Sequence, residues 1–182
     1  MGTFQITGRK AVGGNHRVPG NKNAALPMIA AALLTDEPVT LENVPDLADV
    51  RLMFAFAQRF GARVTRDYEA RTATIAAKRL KSVRLDPALA RKIRTSILFA
   101  GPLLARTGSV SLPPPGGDGI GHRRLDTHFE GFESLGATVK CGRCILSVKA
   151  PKSGLVGARI LLDEASVTAT ETSSWRPCSR AA

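Results

Sequence analysis

Apolar and polar positions alternate in two similar stretches. Residues 23–41 (NAALPMIAAALLTDEPVTL) and 94–112 (RTSILFAGPLLARTGSVSL) align at an offset of 71, with Leu33 over Leu104, Val39 over Val110 and Leu41 over Leu112. Each stretch predicts an apolar helix, a short turn and a strand. A second helix follows in each, over 47–60, where Leu52, Phe56 and Phe60 fall four apart, and over 126–135, where Phe129, Phe132 and Leu135 fall three apart. Such spacings put the apolar side chains on one face. Gly61 and Gly136 end these helices, because glycine enters the left-handed conformation of a helix stop without steric cost. Period-two alternation then predicts strand pairs, 63–67 with 73–77 and 138–140 with 145–150. The unit is helix, strand, helix, hairpin, used twice. That order fits an α/β domain of pseudo-symmetric units better than a doubly wound nucleotide fold.

A third unit starts and then breaks off. Residues 157–162 read as its strand, and 166–171 (SVTATE) precede the point where its apolar helix is due. Residues 172–182 (TSSWRPCSRAA) are polar instead, hold the only Trp, and carry helix-breaking Pro177. Deleting one nucleotide from codons for Asn-Val-Val-Met-Ala-Ala-Val-Leu-Ala-Arg-Gly, an apolar helix, yields this tail residue for residue. A frameshift after Glu171 is therefore the expectation.

Composition narrows the picture. With 182 residues, 43% of them hydrophobic and 23% charged, and a mean hydropathy of -0.02, the chain is a folded domain rather than a disordered, collagenous or coiled-coil one. The best apolar stretch, 24–34, is shorter than the roughly 18 to 20 residues that span a bilayer, and it contains Pro27. No membrane partner is expected. The start, MGTFQITGRK, lacks a signal peptide's apolar stretch, and three cysteines suit a reducing compartment, so a cytoplasmic location is expected. The 26 Lys and Arg against 15 Asp and Glu leave a net charge of +11, which raises nucleic acid as a partner. Yet the basic residues are scattered, with no run of five, and aromatics make up only 5%. Small phosphorylated or carboxylated anions fit the charge better than nucleic acid.

Two segments could bind such anions. Gly20-Asn21-Lys22-Asn23 opens the first apolar helix, where unpaired helix amides and a lysine meet; a capped helix with a solvated lysine is the plainer reading. Residues 113–126 (PPPGGDGIGHRRLD) form a loop stiff at its base, and Asp118 among its glycines, near Arg123 and Arg124, suits proton donation to an anionic substrate. By the repeat, Arg94 sits at the helix start equivalent to Lys22-Asn23. Cys141-Gly-Arg-Cys144 is a lone pair that fits a hairpin turn better than zinc, and His122 and His128 lack a metal-binding spacing.

The segments at 20–50, 93–108 and 113–128, with SVTATE at 166–171, together resemble the enolpyruvyl transferases over about residues 4–171. The resemblance implies two domains, each an inside-out α/β barrel of three repeated units, with the active site between them. On that pattern residues 1–21 are a strand belonging to the other domain. Residues 22–171 are a sugar-nucleotide-binding domain of about two units plus the start of a third, and 172–182 are an aberrant tail. The implied reaction moves the enolpyruvyl group of phosphoenolpyruvate onto the 3-hydroxyl of UDP-N-acetylglucosamine, with loss of phosphate, as the first committed step of peptidoglycan synthesis. No cofactor and no metal is implied. By the motif match Lys22 and Arg123 hold phosphoenolpyruvate, Arg94 lies nearby, and Asn23 contacts the sugar or the tetrahedral intermediate. Arg123, Arg124, Leu125 and Asp126, with Ser166, Val167 and Thr168, line the sugar-nucleotide pocket. Asp118 stands where the family usually carries a cysteine and becomes the candidate general acid. Arg124 replaces a proline. The family's second half supplies a further arginine and the carboxylate that takes the hydroxyl proton, so this chain alone is expected to be inactive. Two rival readings are a non-catalytic remnant that binds the sugar nucleotide and a 5-enolpyruvylshikimate-3-phosphate synthase-like enzyme. The PGGDGIG and RRLD text disfavours the latter.

Overall fold

The computed structural model describes residues 3–9, 11, 13–81, 87–116, 124–142 and 145–175. In chain order the elements are α1 (Lys22–Ala31) with a 3-10 turn (Ala32–Leu34), β1 (Val39–Leu41), α2 (Ala48–Arg59), β2 (Arg63–Asp67) and β3 (Thr72–Ala76). Then come α3 (Pro87–Ala90), a 3-10 helix (Arg94–Phe99) running into α4 (Ala100–Thr107), β4 (Ser109–Leu112), α5 (Asp126–Ser134), β5 (Thr138–Cys141), β6 (Leu146–Lys149) and α6 (Val167–Ser174). The strands form two antiparallel sheets of identical topology, β1-β3-β2 and β4-β6-β5. Val39 pairs with Ile75 and Val110 with Val148, so the repeat read from the sequence is a repeat of register too. Alternation buries Ala73 and Ile75 in one sheet and Leu146 and Val148 in the other.

Both amphipathic helices stop as expected. Gly61 (φ 100°) and Gly136 (φ 87°) take the left-handed conformation. Beyond α2, Gly61 N–H donates to Gln58 O and Ala62 N–H to Ala57 O; beyond α5, Gly136 N–H donates to Glu133 O and Ala137 N–H to Phe132 O. This double bond satisfies carbonyls that the helix end would otherwise leave unpaired. β5 and β6 pair antiparallel and Gly142 N–H donates to Ile145 O at 2.9 Å; Arg143 and Cys144, within the expected hairpin turn, lie outside the described residues.

Three expectations change. The second apolar helix begins as a 3-10 helix, Arg94–Phe99, and passes into α4 just before Pro102, which has no N–H for the carbonyl of Leu98. Residues 157–162 form no strand: among the described residues nothing pairs with them, and a strand exists only through its neighbour. Leu161 there is 97% exposed. The third unit's helix begins at Val167 rather than after Glu171, so SVTATE opens it and Thr172 to Ser174 complete it. Packing overrides weak helix propensity here, since Ala169 and Thr172 are buried where α6 lies against α4 and α5. Gly101 and Gly131 allow that approach. A Cβ on them would come within 3.0 Å of Thr172 O and 2.1 Å of Ser173 Oγ respectively.

One core joins both sheets. Phe99 meets Phe56 edge-on at 6.2 Å and Phe60 at 5.2 Å, linking the second unit to the α2 helix of the first.

Candidate functional site

The start of α1 is set by Asn21, whose side-chain oxygen accepts from the backbone N–H of Asn23 at 2.7 Å and of Ala24 at 3.3 Å. Gly20 before it is obligatory, since a Cβ there would lie 1.7 Å from Asn43 O. Lys22 Nζ reaches across to α2 and donates to Asp49 Oδ2 at 2.8 Å. Both side chains are more than a third exposed, and a pair so exposed is worth little, so an anionic ligand can compete for the lysine. Asn23 is exposed beside it.

A second cluster forms where the Arg94–Phe99 helix, α5 and α6 begin. Arg94 Nη2 donates to Arg124 O at 2.7 Å. The Arg124 guanidinium lies between two carboxylates, donating to Asp126 Oδ2 through Nε at 2.8 Å and pairing with Asp163 Oδ2 at 2.8 Å. Hydrogen bonding and charge from these carboxylates raise Arg124, and Arg124 in turn holds Asp126 below the usual carboxylate range. Thr127 Oγ1 adds a contact to Asp163 Oδ1 at 3.3 Å. Leu125 precedes α5 and packs against the core. Ser166 caps α6, its hydroxyl accepting from Ala169 N–H at 3.3 Å, with Val167 exposed and Thr168 half-buried after it. The structure thus gathers Arg94, Arg124, Leu125, Asp126, Ser166, Val167 and Thr168 into one region. Lys22 and Asn23 form a neighbouring one, α1 packing against the Arg94–Phe99 helix.

Asp118, Arg123 and His122 lie outside the described residues. The base of their loop is fixed, however: Gly116 N–H donates to Ala90 O at 3.2 Å, and a Cβ on Gly116 would lie 1.9 Å from Arg91 O. A cavity of about 360 Å³ opens between Pro19–Gly20 and the loops at 44–47 and 66–72, and it contains none of the expected substrate residues.

Three partners were not foreseen. Asp49 and Asp163 hold Lys22 and Arg124 across 27 and 39 residues of chain, and no local pattern encodes such pairs. His128 has Nδ1 2.9 Å from Thr172 Oγ1 and Nε2 3.1 Å from Thr168 Oγ1. Burial, with the Arg94 charge nearby, pushes its ring down to about 4.

The family model for EPSP synthase (3-phosphoshikimate 1-carboxyvinyltransferase) matches residues 6–173. A UDP-N-acetylglucosamine 1-carboxyvinyltransferase of Bradyrhizobium diazoefficiens is 52% identical over 92% of this chain and 38% of its own length. One from Treponema pallidum is 50% identical over 94% of the chain and 39% of its own. The chain therefore spans about two-fifths of the curated relatives it matches. Among solved structures, the enolpyruvyl transferase NikO from Streptomyces tendae superposes with a TM-score of 0.65 at 21% identity, covering 79% of this chain and 31% of that one. EPSP synthase from Acinetobacter baumannii gives 0.65 at 16% identity, covering 90% and 38%.

Proposed function

The chain belongs to the EPSP synthase (3-phosphoshikimate 1-carboxyvinyltransferase) family, and from that premise we propose that it forms the sugar-nucleotide part of a site transferring the enolpyruvyl group of phosphoenolpyruvate to the 3-hydroxyl of UDP-N-acetylglucosamine. Its fold is the inside-out α/β fold of that family, present as two units and the start of a third. The observation that carries the choice of acceptor is the identity of about half of all residues with UDP-N-acetylglucosamine 1-carboxyvinyltransferases. The chemistry of the described clusters is compatible with it. Adding a hydroxyl to an enol ether needs a proton on the methylene carbon and cations about the phosphate and carboxylate. Lys22 and Arg94 supply such cations from the starts of two repeat-related helices, with Arg123 and the general acid Asp118 assigned from the motif. Asp126 and the cap of α6 offer acceptors and amides to a sugar nucleotide. The implied setting is peptidoglycan synthesis in the cytoplasm.

The exposure of Phe4 and Ile6, 91% and 86%, at alternate positions supports the reading of the segment around them as a strand of another domain. An orphaned hydroxyl supports the frameshift reading of 172–182. Ser173 Oγ is buried without a hydrogen-bond partner among the described residues, where the unshifted frame would place valine.

Calorimetry of the purified chain with UDP-N-acetylglucosamine and with shikimate 3-phosphate tests the assignment, alongside phosphate release with phosphoenolpyruvate present. Binding of the sugar nucleotide alone, without turnover, is expected. Binding of shikimate 3-phosphate in its place would overturn the reading.

A further inference from the structure

We propose that His128 is a positioning residue for the sugar-nucleotide pocket: its ring, as the Nδ1–H tautomer, fixes the first turn of α6 and turns the Thr168 hydroxyl proton inward. A ligand then meets Thr168 as an acceptor only. The inference rests on the reading of residues 166–168 as pocket wall.

The proposed tautomer is the one in which Thr172 keeps its hydroxyl proton on α6. Thr172 Oγ1 donates its one proton back along α6, with Thr168 O at 3.0 Å and Ala169 O at 3.1 Å as acceptors. In the proposed arrangement that proton stays on α6, so the same oxygen accepts from His128 Nδ1, 2.9 Å away, and Nδ1 carries the ring proton. Nε2 is left with a lone pair, and the Thr168 hydroxyl at 3.1 Å must donate to it. His128 is 1% exposed, so the two threonines, rather than water, meet its ring nitrogens. Its position on the first turn of α5 places it beside the elements carrying Arg124, Asp126 and Arg94. Through one side chain the two walls of the pocket, 124–126 and 166–168, acquire a fixed separation. Such a wall favours an O–H or N–H of the ligand at Thr168 over a phosphate oxygen, because a phosphate would face lone pairs.

The test uses the full chain. Nitrogen-15 spectra of the histidine rings at pH 7 should show a protonated Nδ1 and an unprotonated Nε2 for His128; the opposite tautomer overturns the proposal. Affinity for UDP-N-acetylglucosamine is then compared among the wild type, His128→Asn and His128→Gln, each checked for an intact melt. Asparagine can keep the contact to Thr172 but cannot reach Thr168, and should bind about tenfold more weakly. Glutamine can present its carbonyl to Thr168 and should stay within about threefold of wild type. A folded Asn variant with wild-type affinity overturns the proposal. Should the wild type bind no sugar nucleotide, the functional reading has failed, and the ring signals alone decide the tautomer.

Discussion

His128 is neutral at pH 7 because charging its ring would strand a cation in a buried site near Arg94. The consequence for stability has a definite sign. The ring titrates near 4 in the fold against an ordinary value of 6.5, so between these limits the unfolded chain binds more protons than the folded one. Stability contributed by the neutral ring is complete above pH 6.5 and is lost as pH falls toward 4, amounting to about 3 kcal/mol. Urea denaturation of the wild type and of His128→Gln at several pH values checks this. The wild type should lose stability more steeply than the variant between pH 6.5 and 4; parallel curves would contradict the assignment. Asp46, held down to about 2 by its hydrogen bond to Arg51 and by Arg66, titrates below that window.

At the scale of elements, the two helix stops share a motif but not its surroundings. A Cβ on Gly136 would find only Pro151 Cγ, at 3.8 Å, so Gly136→Ala should cost about 1 to 2 kcal/mol for the left-handed backbone alone. A Cβ on Gly61 would lie 2.7 Å from Arg79 O. Gly61→Ala should therefore cost at least about 1 kcal/mol more, through overpacking against backbone. Equal losses in chemical denaturation would show that the Arg79 segment gives way freely. These stops were legible in the sequence because glycine punctuation and apolar spacing are local. So were the strand pairs and the capped start of α1. What was not legible is non-local. Residues 157–162 have a strand's composition but no neighbour to make them one, and α6 forms from poor helix formers because α4 and α5 offer glycines for it to rest on. Within the site, Lys22 could be read from its helix start, whereas Asp49, Asp163 and the threonines around His128 are brought there only by folding. Ser173 shows the cost of that docking. Its hydroxyl is desolvated without return among the described residues, so Ser173→Ala should raise stability by about 1 kcal/mol, seen as a higher melting temperature. A fall would mean that the hydroxyl has a partner.

At the scale of the whole molecule, pseudo-symmetric units could in principle unfold one after the other, as repeats with weak interfaces do. The described contacts argue against it. Phe99 of the second unit is fully buried against Phe56 and Phe60 of the first. Arg106 of α4 donates to Leu33 O at 3.1 Å and to Ala77 O at 3.2 Å, bonding carbonyls at the ends of two first-unit segments. Removing either unit would leave aromatic surface and buried carbonyls uncovered in the other, which couples the two. Trp175, the only tryptophan, packs against the core beside Gly101 and reports on the second unit. Far-ultraviolet circular dichroism reports on all helices. In urea the two signals should fall together in a single transition. Phe99→Ala should lower its midpoint by the equivalent of about 3 to 5 kcal/mol, a large share of the roughly 5 to 15 kcal/mol that holds a domain folded. Tryptophan fluorescence changing at a lower urea concentration than the dichroism would show instead that the second unit opens first, and that the Phe99 and Arg106 contacts are too weak to bind the units into one cooperative body.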